Sequence, residues 1–180
     1  MFEIFVDSGA NIPAEHVAKY GIHVICFMNI IDGRTIPGFE AGLSPQEERN
    51  KGRDYYNAIR AGAIVKTSLI NSEEFRMNFE PVLKEGKDLI YFCLSSNISG
   101  TCNAARLAME ELREVYPDRE IELVDSLNAS LAQGILAIYA YELREKGYPL
   151  REIAEVLRET AHSMNGTFTV DDLKYLARTG

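Results

Sequence analysis

The 180-residue sequence predicts an α/β fold, a mostly parallel sheet with helices on both faces, and three observations carry the prediction. Short β-branched apolar runs alternate with stretches whose apolar residues recur at three- and four-residue spacing. The run at 88–94 is apolar almost throughout, as a strand covered on both faces is, and the run at 120–124 repeats the theme. Several runs end in small polar residues, Asp7-Ser8, Ser95-Ser96 and Asp125-Ser126, and in open parallel sheets ligands bind outside the carboxyl ends of the strands.

The elements follow in order. Residues 3–6 form a short strand ending at Asp7-Ser8-Gly9, and Pro13 opens a helix that carries Val17 and Tyr20 to a stop at Gly21. Residues 22–31 read as one further strand, closed by the turn dipeptide Asp32-Gly33. After a loop over 38–42, Ser44-Pro45-Gln46-Glu47 supplies a capping hydroxyl, a first-turn proline and a reciprocal Glu. A short helix is expected there, interrupted near Gly52 and resuming through Tyr55, Tyr56 and Ile59. Residues 64–67 read as a short extended piece that brings Thr67-Ser68 to the strand ends. Asn71-Ser72-Glu73-Glu74 starts a helix with Phe75, Phe79, Val82 and Leu83 as its apolar stripe.

Beyond the strand at 88–94, a helix places Ala104, Ala105, Ala108, Leu112 and Val115 on one side. The helix from about Ser130 is apolar almost all round, so deep burial is expected, and Pro149 opens one with Leu150, Ile153, Ala154, Leu157 and Ala161 facing inward. Residues 1–165 are read as one α/β domain. Residues 166–180 are read as the beginning of a second, with a strand over 167–170 and a helical turn over 171–176.

Composition narrows the function. The net charge of −8 and the scattered basic residues argue against nucleic acid as a partner. Glu3 stands where a signal peptide carries positive charge, and no apolar run approaches a membrane span, so a cytoplasmic location is expected. Cys26, Cys93 and Cys102 are odd in number and lack close metal-ligand spacing. They read as reduced thiols without a catalytic role, and no metal or cofactor is expected.

The strongest local signal is Ser95-Ser96-Asn97-Ile98-Ser99-Gly100-Thr101, a hydroxyl-rich loop between a buried strand and a helix. Unpaired amides and the positive dipole end at a helix start, completed by hydroxyls, make an anion cradle. The plainer reading of the same loop is a Ser99 cap with the other hydroxyls satisfying the turn. Neither Thr67-Ser68 nor this loop contains a His or a nucleophile elbow, which disfavours serine hydrolysis. The glycine-rich loop ending in Lys-Ser/Thr and the glycine fingerprint after the first strand are both missing, so ATP and NAD are not expected in those modes.

Together, Asp7-Ser8, Thr67-Ser68, the Ser95 to Thr101 loop, Asp125-Ser126 and Phe168-Thr169-Val170-Asp171-Asp172-Leu173-Lys174-Tyr175-Leu176 resemble the DegV family of bacterial fatty-acid-binding proteins. The likeness spans essentially the whole chain, and the Ser-Ser-x-x-Ser-Gly-Thr and Asp-Asp-Leu-x-Tyr-Leu segments are its more specific parts. The resemblance implies a long-chain fatty acid held without turnover. Its carboxylate would meet Thr67, Ser68, Ser95 and Ser96, with Asp7, Ser8, Ser99, Gly100, Thr101 and Ser126 in support.

It also implies a partner, the catalytic subunit of a fatty acid kinase that makes the acyl phosphate, and at most transient contact with a membrane. The family carries a Pro two residues after its Thr-Ser pair, where this chain has Ile70. It also continues with a Gly-Arg motif and most of a second domain, so the resemblance implies a truncated second domain here. Two other readings stay open at this point: an enzyme acting on a small phosphorylated or carboxylated metabolite at the same anion site, and a fragment that folds without a ligand. An apolar tunnel, a short polar pocket with a general base near Ser95, and an open apolar trough distinguish the three.

Overall fold

The computed structural model describes residues 2–170 and 172–173. Strand β1 (Phe2–Asp7) runs into a 3-10 turn (Ser8–Ala10) and helix α1 (Ala14–Tyr20), which stops at Gly21 in the left-handed region, φ 59°. Strand β2 (Ile22–Ile25) follows parallel to β1, pairing Ile4 with Ile22. Strand β6 (Asp88–Cys93) lies on the other side of β1, and β7 (Ile121–Asp125) lies beyond β6, giving a four-stranded parallel sheet in the order β2-β1-β6-β7. From β1 the chain steps to one side for β2 and to the other for β6. The carboxyl ends of β1 and β6 therefore flank the topological switch point, where such sheets open a crevice.

Side-chain alternation along the strands divides the core. Ile4, Val6, Ile90 and Phe92 pack under α5 (Leu131–Glu145) and α6 (Leu150–Ser163), with Val17 and Tyr20 of α1 against the same cluster. Phe5, Leu89, Tyr91 and Cys93 pack on the opposite face under α3 (Ser72–Lys84) and α4 (Thr101–Val115). Each such side chain contributes about 1.5–3 kcal/mol on burial, and a one-residue slip would exchange the faces, so the register is strongly specified. The outward carbonyls of edge strand β7 are covered. Arg113 Nη2 of α4 donates to Ile121 O, and Arg158 of α6 donates to Leu123 O while pairing with Glu122.

The α/β class and the parallel sheet agree with the sequence, and several details do not. Residues 22–31 are two strands in two sheets: the chain leaves the parallel sheet after Ile25, and β3 (Met28–Ile31) enters an antiparallel sheet of order β4-β3-β5. Strand β4 (Arg34–Pro37), unforeseen because its residues are all exposed, pairs with β3 across Asp32-Gly33, both at positive φ. The piece ending at Thr67 is β5 (Val65–Thr67), antiparallel to β3 rather than part of the parallel sheet.

Helix α2 (Pro45–Arg60) runs unbroken through Gly52, because its capping box and fifteen-odd helical neighbours outweigh one glycine, a cost of about 1 kcal/mol. Helix α5 is not buried all round: Leu131, Ile135 and Tyr139 form an exposed stripe at four-residue spacing, since a helix on a sheet buries only one face. Val115, at the end of α4, is likewise exposed. Residues 167–170 form no strand, having no strand partner among the described residues, and the expected helical turn falls mostly outside them. No helix of the described residues is long and apolar enough to cross a membrane.

Candidate functional site

Asp7 ends β1 at the switch point, fully buried, and its carboxylate holds the two neighbouring strand ends together. Oδ1 accepts Gly9 N at 2.9 Å; Oδ2 accepts the Tyr91 hydroxyl and Leu94 N, each at 2.8 Å. Burial pushes its carboxyl above the ordinary carboxylate value, opposed by the hydrogen bonds from Leu94, the Gln133 amide, Tyr91 and Gly9. Gln133, fully buried in the first turn of α5, donates from Nε2 to Phe92 O at 3.0 Å. Through Tyr91 and Leu94 the Asp7 carboxylate fastens the end of β1 to that of β6.

Ser8 performs the corresponding task between the two sheets. Its Oγ accepts Phe27 N at 2.9 Å, and Gly38 N donates to Phe27 O at 2.8 Å. A Cβ at Gly38 would stand 2.7 Å from Ser8 Oγ and 2.9 Å from Phe27 O, so this close approach requires glycine. Ser68 closes the other side of the small sheet: its N donates to Met28 O at 2.8 Å and its Oγ accepts Met28 N at 3.1 Å. Helix α2, which buries no residue fully, is tethered by Ala14 N donating to Glu48 Oε1 at 2.8 Å.

Between the strand ends, the small sheet and α2 lies a cavity of about 1240 Å³. Val24, Phe27, Ile36, Leu43, Tyr55 and Leu69 make its apolar walls, and Ser8, Thr67, Ser68 and Ser99 its hydroxyl-bearing part. Asp7 also reaches this wall, whereas no histidine does. Most of the wall comes from residues 27–69, the small sheet, α2 and the loops that connect them, whose role was not legible: their apolar residues are spaced like those of any half-exposed element.

Of the residues expected at the site, Asp7, Ser8, Thr67, Ser68 and Ser99 come together around this cavity, while Ser95, Ser96, Gly100, Thr101 and Ser126 lie outside its wall. Ser95 is buried beneath the loop: its N donates to Asn128 O at 3.0 Å, and its Oγ accepts Asn97 N at 3.3 Å. The exposed Ser96 donates its N to Asp125 Oδ1 at 3.2 Å. Ser99 Oγ accepts Thr101 N at 3.2 Å, so the serine reaches one residue into α4, which begins after Gly100. Ser126 makes a local turn with Asn128.

The hydroxyls of Ser8, Ser68 and Ser95 each accept a backbone N–H, and none donates a bond among the described residues. Each therefore retains an unused O–H donor, Ser8 and Ser68 at the cavity wall and Ser95 beneath the loop. Beneath the same loop, Cys93, Cys102 and Asp125 approach one another, a proximity that sequence spacing concealed. The interaction of the two neighbouring thiols holds Cys102 below the ordinary thiol value and, together with burial, pushes Cys93 up.

The whole chain, residues 1–180, matches the family described as "Uncharacterised protein, DegV family". A DegV domain-containing protein of Clostridium perfringens is 36% identical over 99% of this chain, which spans 60% of that relative's length. The fold resembles a DegV lipid-binding protein from Thermotoga maritima, with a TM-score of 0.73 and 33% identity over 91% of this chain and 55% of that one. It also resembles a fatty-acid-binding DegV family protein from Thermus thermophilus, with a TM-score of 0.77 and 26% identity over 98% of this chain and 59% of that one. By its full-length match and its switch-point architecture, the chain belongs to the DegV family.

Proposed function

We propose that this chain binds a long-chain fatty acid non-covalently in the cytoplasm and presents it to a separate kinase for conversion to the acyl phosphate. The cavity at the switch point is the observation that carries the reading: its walls are largely apolar, and hydroxyls gather at the strand ends. Each methylene removed from water contributes about 0.8 kcal/mol, so about fifteen methylenes supply roughly 12 kcal/mol before the costs of association. The hydroxyls contribute orientation. In this reading the carboxylate meets Thr67 and Ser68 on the wall, while Ser95 and Ser96, outside the wall, act through the loop that supplies Ser99. The relatives described as binding lipid or fatty acid are longer than this chain, which spans 55% and 59% of their lengths.

Catalysis by this chain finds little support at the site. Of the carboxylates on the wall, Asp7 accepts from Gly9, Tyr91 and Leu94, Glu48 accepts from Ala14 N and Glu40 pairs with Lys51, and no histidine lines the cavity. The test is native mass spectrometry of the protein with and without added palmitate. A single bound fatty acid, weakened several-fold by Ser68→Ala and further by Ser95→Ala with Ser96→Ala, is the expected result. Binding that ignores all three hydroxyls would overturn the carboxylate assignment, and no uptake at all would overturn the reading for this chain.

A further inference from the structure

Cys93 is the last residue of β6, and Asp125, the last of β7, is its register partner on the adjacent parallel strand. Their side chains therefore leave the sheet on the same face. The Ser95–Gly100 loop folds back over these strand ends, and Cys102, in the first turn of α4, returns to the same spot. Two sulfur atoms and a carboxylate oxygen thus lie within 4.8 Å of one another, and both cysteines are fully buried. We propose that Cys93, Cys102 and Asp125 form a binding site for a thiophilic divalent cation of the Zn²⁺ class, under the loop that lies beside the lipid cavity.

The donor set and its surroundings fit that ion. Two thiolates and one carboxylate are ligands that Zn²⁺ takes, and tetrahedral bonds of about 2.3 Å to sulfur and about 2.1 Å to oxygen place ligand atoms roughly 3.5–3.8 Å apart. Rotamer adjustment of about an ångström or less gathers the three donors to that spacing. The ligating carboxylate is already oriented by backbone donors, Leu127 N at 3.0 Å and Ser96 N at 3.2 Å, as metal-bound carboxylates are. An ion with two thiolates and a carboxylate carries one net negative charge, and Arg106, one turn along α4 from Cys102, is the nearby cation that offsets it.

Asp125 and Arg106 also line a second cavity of about 410 Å³, together with Met109 and Leu127. Neither cysteine lines it, so an ion would approach from the Asp125 side, where the cavity leaves room for a water as fourth ligand. The bound ion would tie β6, β7 and α4 together at the base of the serine loop. Its role is thus to fix the loop that carries Ser95, Ser96 and Ser99, and the proposal stands independently of what the larger cavity binds.

The test uses the whole chain, reduced and stripped with a chelator, then titrated with Zn²⁺ and followed by native mass spectrometry. A single Zn²⁺ per chain is expected. It should be lost in Cys93→Ser and Cys102→Ser, weakened at least about tenfold in Asp125→Asn and retained in Cys26→Ser. Because substitution of a buried cysteine can impair folding, Co²⁺ added to the unaltered chain gives a second readout. Thiolate-to-cobalt charge-transfer absorption and intense visible bands of a tetrahedral centre are expected. Absence of both Zn²⁺ uptake and the cobalt spectrum would overturn the proposal, as would Zn²⁺ binding that survives loss of both cysteines. So would a Cys93–Cys102 disulfide as the sole product, with no metal uptake after reduction.

Discussion

Replacing Asp7 by Ala tests whether the buried carboxylate is the joint between β1 and β6. The substitution strands three donors, the buried Tyr91 Oη and the part-buried Gly9 N and Leu94 N. Each stranded donor costs about 1–3 kcal/mol, and relief from burying a carboxylate offsets part of the sum. The expected net loss is about 2–4 kcal/mol at neutral pH, a large share of a typical domain stability of about 5–15 kcal/mol. The pH dependence has a definite sign. Burial raises the folded-state value above the ordinary 3.8, so the folded chain binds this proton more tightly than the unfolded chain.

The stability linked to Asp7 protonation is therefore fully present below the unfolded value and is lost as pH rises through the folded value. The gap between the parent and Asp7→Ala should widen as pH falls from about 7 toward the unfolded value. Urea unfolding followed by circular dichroism at several pH values measures it, and other carboxylates cancel in the difference. A gap that narrows on acidification, or a loss below about 1 kcal/mol at neutral pH, would refute the assignment.

Two further substitutions address the packing of the elements around the cavity. Gly38→Ala forces a methyl against Phe27 O at 2.9 Å and should cost about 1–3 kcal/mol in urea unfolding, whereas Gly52→Ala, which meets nothing within 4 Å in mid-helix, should stabilise by about 0.5–1 kcal/mol; equal effects would contradict the geometry. Arg158→Ala removes the donor on Leu123 O and uncovers the β7 edge, so light scattering should detect more self-association than in the parent, and an unchanged monomer fraction would deny the edge-covering role.

The sequence was most informative where a local rule and the tertiary packing agreed. The capping boxes at Ser44/Glu47 and Asn71/Glu74 form as expected, and the inward residues of α6 are all buried. The two-sided burial of β6 was evident from its unbroken apolar run, because a strand with helices on both faces needs no polar alternation. The Asp-Ser pairs and the serine loop do stand at strand ends, and the family likeness that rested on them is matched along the full chain.

Local pattern could not decide pairing partners. The run from Ile22 to Ile31 is continuously strand-like, and only Phe27 N meeting Ser8 Oγ, with Gly38 pressed against Phe27 O, fixes where it leaves one sheet for another. That departure places Thr67 and Ser68 beside the strand ends through an antiparallel sheet and puts α2 across the cavity. The meeting of Cys93, Cys102 and Asp125 has the same origin. Periodicity reports which face of an element is apolar, whereas the residues that share a site are chosen by the crossing of the chain at the switch point and by sheet register, which join positions far apart in sequence.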